Sequence, residues 1–308
     1  MKAAIIGCGR IGALFELEKL REKPCSHLGA YIANGIEVTA IADTDISRLQ
    51  ATQKIAKRLR QKTIPHGYEN LGDMLRENGG LDIISICTPA SRHFFNLMDI
   101  LDSGKPPKAI FCEKPMALTS KECASMISRC KDAGTILAVN HTRRWNWDFW
   151  TLRSLLQGKA FGKPIHFLGV FSGDRLDVGI HMFDLANMLV PNLVGLELNG
   201  VGGNLSFFNV ASSHLIFECD IFTDTGKIEV RDNGREFKVY KVGKSKHYDN
   251  YMELFPASDM PHTVNPPNPL VVAVENITDC IKARKVQPEC TGEDGMKAVM
   301  LYEKVVKG

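Results

Sequence analysis

The stretch Lys2-Ala3-Ala4-Ile5-Ile6-Gly7-Cys8-Gly9-Arg10-Ile11-Gly12 decides how the rest of the chain is interpreted. A short apolar run, typical of a buried strand, leads directly into Gly-x-Gly-x-x-Gly, and a helical pattern follows at Ile11–Leu20. In such a strand–turn–helix the first glycine permits the tight turn, the second lets the backbone approach a pyrophosphate, and the third lets the helix pack against the strand. The helix N-terminus then offers N–H groups to the phosphates. A purely structural glycine turn is the alternative interpretation.

The first 142 residues alternate apolar runs with helical patterns, which predicts a doubly wound parallel sheet of the Rossmann type. The predicted strands are Lys2–Ile6, Glu37–Asp43, Lys62–Pro65, Ile83–Thr88, Ala109–Cys112 and Ile136–Asn140. The predicted helices are Ile11–Leu20, Ile46–Arg60, Leu71–Glu77, His93–Leu101 and Lys121–Ala133. Residues 1–142 are therefore expected to form a dinucleotide-binding domain, and the whole chain belongs to the α/β class.

Residues 143–308 have a different pattern, with strand-like runs separated by turn signals. The predicted strands are Ile165–Phe171, Gly195–Val201, Leu205–Phe222, Lys227–Arg231 and Glu236–Val242. The predicted helices are Asp177–Val190, Leu270–Ala283 and Asp294–Val306. This arrangement indicates an α+β domain with a mostly antiparallel open sheet, which we expect to bind substrate and to mediate oligomerisation.

Composition and charge exclude several functional classes. The 308 residues include 38 Lys and Arg against 35 Asp and Glu, a net charge of +3, without the clustered basic charge that nucleic acids or anionic membranes require. The apolar runs are too short for a membrane helix or a secretory leader, so we expect a cytoplasmic protein. The nine cysteines include no Cys-x-x-Cys, which favours reduced, mostly buried thiols and predicts no metal site.

Asp43 ends the second predicted strand, where a carboxylate can bind both ribose hydroxyls of NAD and would repel a 2′-phosphate. It follows Gly12 by 31 residues, whereas the usual separation is about 20. A polar insertion at Leu17–Ser26 accounts for the surplus. The sequence therefore predicts NAD as the cofactor, while the nearby Arg48 leaves NADP open.

A second group of polar residues lies on the helix predicted at Asp177–Val190. At about 100° per residue, Asp177, His181 and Asp184 lie at about 0°, 40° and −20° around the helix axis, so all three share one face. An acid–histidine–acid set on one face suits proton transfer. Two structural interpretations remain open. Asp177 could simply interact with the helix dipole at the N-terminus while His181 makes a structural hydrogen bond, and Asp184 could be a structural carboxylate.

Cys112-Glu113-Lys114-Pro115 completes a pattern that resembles the glucose–fructose oxidoreductase, inositol dehydrogenase and MocA family. In that family a Glu-Lys-Pro follows the fifth strand, its proline is commonly cis, and its lysine faces the nicotinamide. The resemblance extends over the chain, through Thr88-Pro89, His93, Arg144, the Asp177 helix and Thr291–Gly295. The cofactor-binding residues expected from the loop and from the resemblance are Gly7, Gly9, Arg10, Ile11, Gly12, Asp43, Thr88, Pro89, His93, Glu113 and Lys114.

The resemblance implies an NAD(P)-dependent oxidoreductase that transfers a hydride between nicotinamide and a secondary alcohol of a sugar, inositol or sugar nucleotide. His181 is expected to act as the general base, Lys114 to stabilise the alkoxide, and Asp177 to position the hydroxyl. Family members often have a pair of glycines shortly before the aspartate, whereas this chain has Gly173-Asp174-Arg175-Leu176, so Asp174 and Arg175 could face the substrate pocket. The residues expected to line the substrate pocket are Asn140, Arg144, Asp174, Arg175 and Asp184.

Two other functions stay open on the sequence: a non-catalytic regulator that senses the dinucleotide, and an NAD-dependent glycoside hydrolase. We expect the partners to be a small polyol or sugar and further copies of the chain. The apolar pattern Leu205-x-Phe207 with Val210 and Leu215-x-Phe217 is compatible with a dimer or tetramer formed through the second sheet.

Overall fold

The computed structural model describes residues 1–158, 160–193, 196–197, 204–257 and 266–307. The chain divides into two compact units. The first comprises Met1–Asn146 with Pro267–Met296, and the second comprises Trp147–Pro266 with Lys297–Gly308.

The first unit is built on a parallel sheet, as predicted. Its strands are β1 (Lys2–Ile6), β2 (Glu37–Ala42), β3 (His66–Tyr68), β4 (Ile83–Ile86), β5 (Ala109–Cys112) and β6 (Ile136–Val139). The strand order is β3-β2-β1-β4-β5-β6, so the order reverses between β1 and β4. Ligands of doubly wound sheets bind beyond the carboxyl ends of the strands at such a reversal.

The predicted strand Lys62–Pro65 is wrong, because β3 lies at His66–Tyr68 and pairs with Ala40–Ala42. The side-chain amide of Gln61 accepts a hydrogen bond from Val38 N–H (3.1 Å) and donates one to Val38 O (2.9 Å). These bonds occupy the edge of β2 where the predicted strand would pair, and Pro65 has no N–H to contribute.

The helices of this unit follow the predicted pattern except for the first. They are α1 (His27–Ala33), α2 (Ile46–Arg58), α3 (Leu71–Glu77), α4 (Ala90–Asp102) and α5 (Ser120–Asp132), with 3-10 turns at Leu14–Leu17 and Thr142–Trp145. A capping box fixes the start of α5, since Thr119 Oγ1 accepts from Glu122 N–H and the Glu122 carboxylate accepts from Thr119 N–H.

The helix predicted at Ile11–Leu20 is wrong because an insertion interrupts it after one turn. Ala13 N–H donates to Gly9 O (3.0 Å), and the chain then leaves the helix axis. It returns at α1, where His27 N–H donates to Ile11 O (3.0 Å) and Leu28 N–H to Gly12 O (3.1 Å). His27 thus takes the place of residue 15 in one continuous helix, and Phe15–Ser26 are twelve inserted residues. Without them, the separation of 31 residues between Gly12 and Asp43 would be 19, close to the usual value of about 20.

The insertion folds on itself around a buried carboxylate. Glu16 Oε1 accepts hydrogen bonds from Cys25 N–H (2.8 Å) and Ser26 Oγ (2.9 Å). Arg58 donates to Glu16 O (2.7 Å) and so ties the insertion to α2. A Cβ on Gly29 would lie 2.4 Å from Glu16 Oε1, so a glycine there lets α1 approach the insertion closely.

The second unit contains the mostly antiparallel sheet that was predicted. Its strands are β7 (Pro164–Ser172), β8 (Leu196–Glu197), β9 (Leu205–Val210), β10 (Phe217–Thr223), β11 (Gly226–Arg231), β12 (Glu236–Lys244) and β13 (Met252–Pro256). The strand order is β13-β12-β11-β10-β7-β9-β8, with parallel pairing of β9 to β7 and to β8. The predicted strand Leu205–Phe222 is in fact two strands, and most of the predicted strand Gly195–Val201 lies outside the described residues. Strand β13 was not predicted.

Helices α6 (Trp147–Gln157) and α7 (Ile180–Leu189) accompany this sheet. Helix α7 packs closely on β7, since a Cβ on Gly179 would lie 2.8 Å from the ring of Phe171. The ring of Phe183 lies 5.9 Å from that of Phe171 and 5.0 Å from that of Phe207. The core of the second unit therefore lies between α7 and this face of the sheet.

The expected apolar face for oligomerisation is only partly exposed. Leu205, Phe207 and Phe217 are buried, whereas Val210 and Leu215 keep 38% and 58% of their surface exposed. Because side chains alternate across a strand, the inward residues serve the core beneath α7. The opposite face carries an ion-pair network of Asp220, Lys227, Glu229 and Arg231, with N–O distances from 2.5 to 3.5 Å.

The segment Pro267–Met296 returns to the first unit. Helix α8 (Pro269–Ile281) is joined to it by hydrogen bonds from Asn34 Nδ2 to Val271 O (3.1 Å) and from Trp145 Nε1 to Asn276 Oδ1 (3.0 Å). Helix α9 spans Gly292–Lys307. The structure thus differs from the predicted division at residue 142, because Pro267–Met296 clusters with the N-terminal part of the chain.

The cysteines are free thiols, and all except the partly exposed Cys25 are buried. Burial raises the pKa of Cys8 and of Cys130 to about 12. In the part of the chain that the structure describes, no helix has the length and apolar character to cross a membrane, and no group of His, Cys, Asp or Glu side chains could hold a metal ion.

We expect deletion of Phe15–Ser26 to leave the protein folded, because the bonds from His27 to Ile11 and from Leu28 to Gly12 then become ordinary helical hydrogen bonds. The midpoint of thermal unfolding should change by less than about 5 °C, as for a loss of 1–2 kcal/mol in a chain of this size. Circular dichroism melting would measure the change.

Deletion of Phe15–Cys25 is the matched control. It leaves one extra residue, which rotates α1 by about 100° and turns the buried side chain of His27 away from its position. This variant should melt more than about 10 °C lower, in line with the loss of several kcal/mol of buried contacts. Equal melting of the two deletion variants would contradict the continuous helix.

Candidate active site

The glycine loop after β1 has one glycine that the packing of the protein itself does not require. Gly7 has a φ of +93°, and a Cβ there would lie 2.6 Å from the carbonyl carbon of Cys87. A Cβ on Gly12 would lie 2.1 Å from Gly7 O. A Cβ on Gly9, in contrast, would meet nothing within 4 Å among the described residues. The open space at Gly9 fits a pyrophosphate that approaches the backbone.

Asp43 lies just beyond the carboxyl end of β2 and is fixed beside this loop. Its Oδ2 accepts a hydrogen bond from Cys8 N–H (2.7 Å), and its Oδ1 accepts one from Asp45 N–H (2.9 Å). Arg48 Nη1 lies 4.0 Å from Asp43 Oδ2 and its Nε 3.4 Å from Asp45 Oδ2. The carboxylate is therefore held in the position where dinucleotide folds bind a ribose.

Two loop residues expected to bind a cofactor also contact the insertion. The guanidinium of Arg10 lies 2.9 Å from Glu18 Oε1 and 4.7 Å from the ring centroid of Phe15. Ile11 lines a cavity together with Phe15, Arg21 and Pro24 of the insertion. The insertion thus covers one side of the glycine loop.

His93 connects the loops that follow β4 and β5. Its ring is buried, with Nδ1 2.8 Å from Pro115 O and Nε2 2.7 Å from Thr88 O. Thr88 Oγ1 in turn accepts a hydrogen bond from Asn96 Nδ2 (2.8 Å), and Pro89 immediately precedes α4. These contacts give His93 a positioning role, since both ring nitrogens are directed at backbone carbonyls.

Glu113 is the centre of a buried hydrogen-bond chain at the carboxyl end of β5. Its Oε1 accepts hydrogen bonds from His27 Nε2 (2.8 Å) and from Asn140 Nδ2 (2.6 Å). His27 Nδ1 lies 2.8 Å from Ser85 Oγ, which lies 2.5 Å from the hydroxyl of Tyr31. The Lys114–Pro115 peptide that follows is cis, as the resemblance implies.

The chain of hydrogen bonds keeps Glu113 ionised. Burial by itself would raise the pKa of Glu113, but the hydrogen bond and charge of His27, followed by Asn140 and Lys114, hold it below its usual value. Burial also raises the pKa of Tyr31, so its hydroxyl stays protonated. Since an ionised carboxylate can only accept hydrogen bonds, His27 Nε2 is the donor to Glu113, and the protonated Tyr31 hydroxyl can donate to Ser85 Oγ.

Sequence reasoning missed His27, Ser85 and Tyr31. The signal present in the sequence is a polar residue, His27, in the otherwise apolar run His27-Leu28-Gly29-Ala30-Tyr31. The insertion conceals it, because the glycine loop and His27 are neighbours only once the interrupted helix is recognised.

Asn140 and Arg144, both expected to line the substrate pocket, have different surroundings. Asn140 follows β6, is 3% exposed and lines a cavity of about 290 Å³. Arg144 is buried with its Nη1 3.2 Å from Asp294 Oδ1, and Asp294 accepts hydrogen bonds from Thr291 at the start of α9. The structure thus gives Arg144 an anchoring contact within the first unit.

The acid–histidine–acid set of the second unit does not lie on one continuous α-helix. Arg175–Gly179 form a π-helical turn, capped by Asp174, whose Oδ1 accepts from Leu176 N–H (2.7 Å) and Asp177 N–H (2.9 Å). The predicted common face assumed 100° per residue, and the π turn breaks that spacing. Asp177 and Arg175 are exposed, His181 is half-buried, and Asp184 is fully buried within α7.

Comparison with known proteins identifies the first unit. Residues 1–141 match the family model GFO_IDH_MocA, described as an oxidoreductase family with an NAD-binding Rossmann fold. The chain is 25% identical over 225 residues to scyllo-inositol 2-dehydrogenase (NAD(+)) of Bacillus subtilis (strain 168), covering 68% of this chain and 58% of that protein. It is 28% identical over 213 residues to D-apiose dehydrogenase of Paraburkholderia graminis, covering 63% and 51%. The matches therefore span only about half of these relatives.

Solved structures share the fold over the whole chain. UDP-N-acetylglucosamine 3-dehydrogenase GnnA from Acidithiobacillus ferrooxidans superposes with a TM-score of 0.72 and 17% identity, covering 100% of this chain and 97% of that one. The WlbA dehydrogenase from Bordetella pertussis, in complex with NADH and UDP-GlcNAcA, superposes with a TM-score of 0.73 and 18% identity, covering 99% and 95%. The glycine loop, Asp43 and the Glu-Lys-Pro segment lie within residues 1–141, the part that the family model matches. Residues 1–141 thus match the NAD-binding Rossmann domain of the glucose–fructose oxidoreductase, inositol dehydrogenase and MocA family of oxidoreductases.

Proposed function

We propose that this protein is an NAD-dependent dehydrogenase that oxidises a secondary alcohol of a sugar, an inositol or a sugar nucleotide. The observation that carries the proposal is the segment Glu113-Lys114-Pro115, which buried hydrogen bonds hold at the carboxyl end of β5. That end of the sheet is where doubly wound folds bind ligands. The names of the relatives, which include inositol, apiose and UDP-sugar dehydrogenases, support this substrate class.

The residues of the first unit fit a bound NAD. The backbone from Gly7 to Gly12 would hold the pyrophosphate, because Gly9 leaves room for it and the helix N-terminus directs N–H groups toward it. Asp43 would bind the adenosine ribose and would oppose a 2′-phosphate by its charge. Arg48, which is partly engaged with Asp45, is the residue that could moderate this preference.

Bound NAD would supply the hydride acceptor, so the protein must orient the alcohol and remove one proton. Lys114 would stabilise the alkoxide that develops as the hydroxyl loses its proton. His181 would take that proton, since imidazole exchanges protons near neutral pH. Asp177 would position the hydroxyl or the imidazole, and its place in an exposed π-helical turn suits contact with a ligand.

We further propose that the enzyme is a cytoplasmic homo-oligomer, a dimer or a tetramer. Its free cysteines suit a reducing compartment. The sheet face opposite α7 is the proposed contact, where Phe208 and Val210 are exposed beside the ion-pair network of β10 and β11. Light scattering of the purified protein would give the mass; a monomer at micromolar concentration would refute the assembly.

Replacing Lys114 by Met, or His181 by Ala, should lower turnover by about 10²- to 10⁴-fold, the usual contribution of proton transfer and alkoxide stabilisation. The affinity for NADH should change by less than about twofold, because neither side chain holds the pyrophosphate or the adenosine. Formation of NADH with scyllo-inositol, D-apiose and UDP-N-acetylglucosamine would measure turnover, and fluorescence titration would measure binding.

Lys121→Met, a change on the exposed start of α5, is the control and should keep full activity. If the Lys114 and His181 variants both turned over substrate at the rate of the unaltered enzyme, the assignment of these residues would be wrong.

Asp43→Asn should shift the cofactor preference toward NADP. The variant keeps an oxygen for Cys8 N–H but loses the negative charge, so the ratio of the NADPH to the NADH dissociation constant should fall by about 10- to 100-fold, as for a hydrogen bond to a charged group. Titration with both reduced cofactors measures it. Asp45→Asn, which removes the neighbouring charge at the start of α2, should change the ratio by less than threefold, about 0.6 kcal/mol. An unaltered ratio in Asp43→Asn would exclude Asp43 as the ribose ligand.

A further inference from the structure

The cavity beside Asn140 is bounded on one side by the insertion. Its volume is about 290 Å³, and it lies wholly within the first unit. Phe15, Arg21 and Pro24 of the insertion face it, together with Ile11 of the glycine loop, Thr142 after β6, and Leu270 of α8. The lining therefore combines apolar side chains with polar ones, which include Arg21, Glu22, Asn140 and Asn268, as small-molecule sites do.

The orientation of the Asn140 amide is fixed by chemistry. An ionised carboxylate can only accept hydrogen bonds, so the amide must present its Nδ2 to Glu113 Oε1, at 2.6 Å. The amide oxygen is then directed away from Glu113. It is buried and accepts no hydrogen bond from the residues that the structure describes. A buried acceptor without a donor costs about 1–3 kcal/mol, so its presence beside a cavity points to a ligand.

The hydrogen-bond chain behind Glu113 prevents the opposite orientation. A protonated Glu113 could donate to the amide oxygen, and the amide could then turn its nitrogen to the cavity. His27 Nε2 donates to the same carboxylate oxygen at 2.8 Å, and Lys114 N–H lies 3.3 Å from the other oxygen. Both carboxylate oxygens therefore face donors, which leaves no place for a proton on Glu113 at neutral pH.

Asn140 lies at the half of the sheet away from the ribose ligand. Asp43 follows β2, while Asn140 follows β6, and the point of reversal between β1 and β4 lies between those strands. A dinucleotide that crosses this point with its adenosine at β2 would direct its nicotinamide toward the β4-β5-β6 half. The substrate must meet the nicotinamide there.

We infer that Asn140 Oδ1 is a binding group of this cavity that accepts a hydrogen bond from an uncharged donor, either the carboxamide N–H of the nicotinamide or a hydroxyl of the substrate. The inference rests on the proposed function for the identity of these two ligands. Arg21 and Glu22 both line the cavity with opposite charges, so its wall carries no net charge that would favour an ionic donor. His27 and Glu113 act as positioning residues, since they fix which end of the Asn140 amide the ligand meets.

The experiment compares NADH with reduced 3-acetylpyridine adenine dinucleotide, in which a methyl group replaces the amino group of the carboxamide. If the carboxamide N–H is the donor, the unaltered protein should bind NADH about tenfold more tightly than the analogue, the effect of one hydrogen bond to a buried acceptor. Asn140→Ala should then bind both equally well. Asn140→Ser is the second variant, because it fills more of the space and would fold if the alanine variant did not. Fluorescence titration needs no substrate, so its result stands even if the proposed dehydrogenase activity fails.

Asn34→Ala is the matched control. Asn34 is a part-buried asparagine in the same unit, its amide donates to Ala30 O and Val271 O, and it does not line the cavity. Asn34→Ala should keep the tenfold preference for NADH. It should lower the free energy of unfolding by an amount comparable to that in Asn140→Ala. A general loosening of the unit would instead reduce the preference in both variants, and that result would overturn the inference.

A second measurement separates the two donors. With scyllo-inositol or D-apiose as substrate, a hydroxyl donor predicts that Asn140→Ala raises KM about tenfold with kcat nearly unchanged, and leaves the preference for NADH over the analogue as it was. Loss of that preference with an unchanged KM assigns the carboxamide as the donor. If Asn140→Ala alters neither the cofactor preference nor KM, Asn140 Oδ1 binds neither ligand and the inference is wrong.

Discussion

The buried carboxylate of Glu113 is the constraint on which the first unit depends. Loss of one partner from a buried charged pair costs about 3–5 kcal/mol, so the groups around Glu113 must stay in place together. His27 comes from α1, Ser85 from β4 and Asn140 from the end of β6, so one side chain ties three elements of the unit to the carboxyl end of β5. Lys114 follows Glu113 directly in the chain, so the hydrogen bonds that fix Glu113 also restrict the backbone of Lys114. A residue that must meet a reacting atom within a fraction of an ångström gains from such a support.

Sequence patterns predicted those features of the fold that are determined by residues close together in the chain. The glycine loop, the parallel strands and the position of Asp43 follow from strand-length apolar runs, turn residues and strand ends, and the structure has them. The Glu113-Lys114-Pro115 segment was found through its resemblance to a family, since an isolated Glu-Lys-Pro has no periodicity to reveal it. His27 could not be predicted as a partner of Glu113, because the two residues are 86 apart in the chain and meet only through the tertiary fold.

The remaining errors have physical causes that a single sequence does not show. Ile11–Leu20 has the periodicity of a helix, yet the buried Glu16 draws the chain into a compact insertion. Leu205 and Phe207 alternate as a half-buried strand should, but alternation does not reveal which face packs against α7. The faces of Asp177 and His181 were calculated for an α-helix, and a π-helical turn has no distinct signature in composition.

In the interrupted first helix, the number of residues between two positions no longer determines how far they are rotated from each other around the helix axis. Both ends of the insertion meet the same helical turn, so closing this loop of twelve residues costs only about 2 kcal/mol in chain entropy, and a loop of twice the length would add about 0.6 kcal/mol more. Segments of very different length and composition could therefore occupy this point while the glycine loop and His27 keep their places. The rim of the cavity can vary through this loop without any change in the scaffold that holds the cofactor.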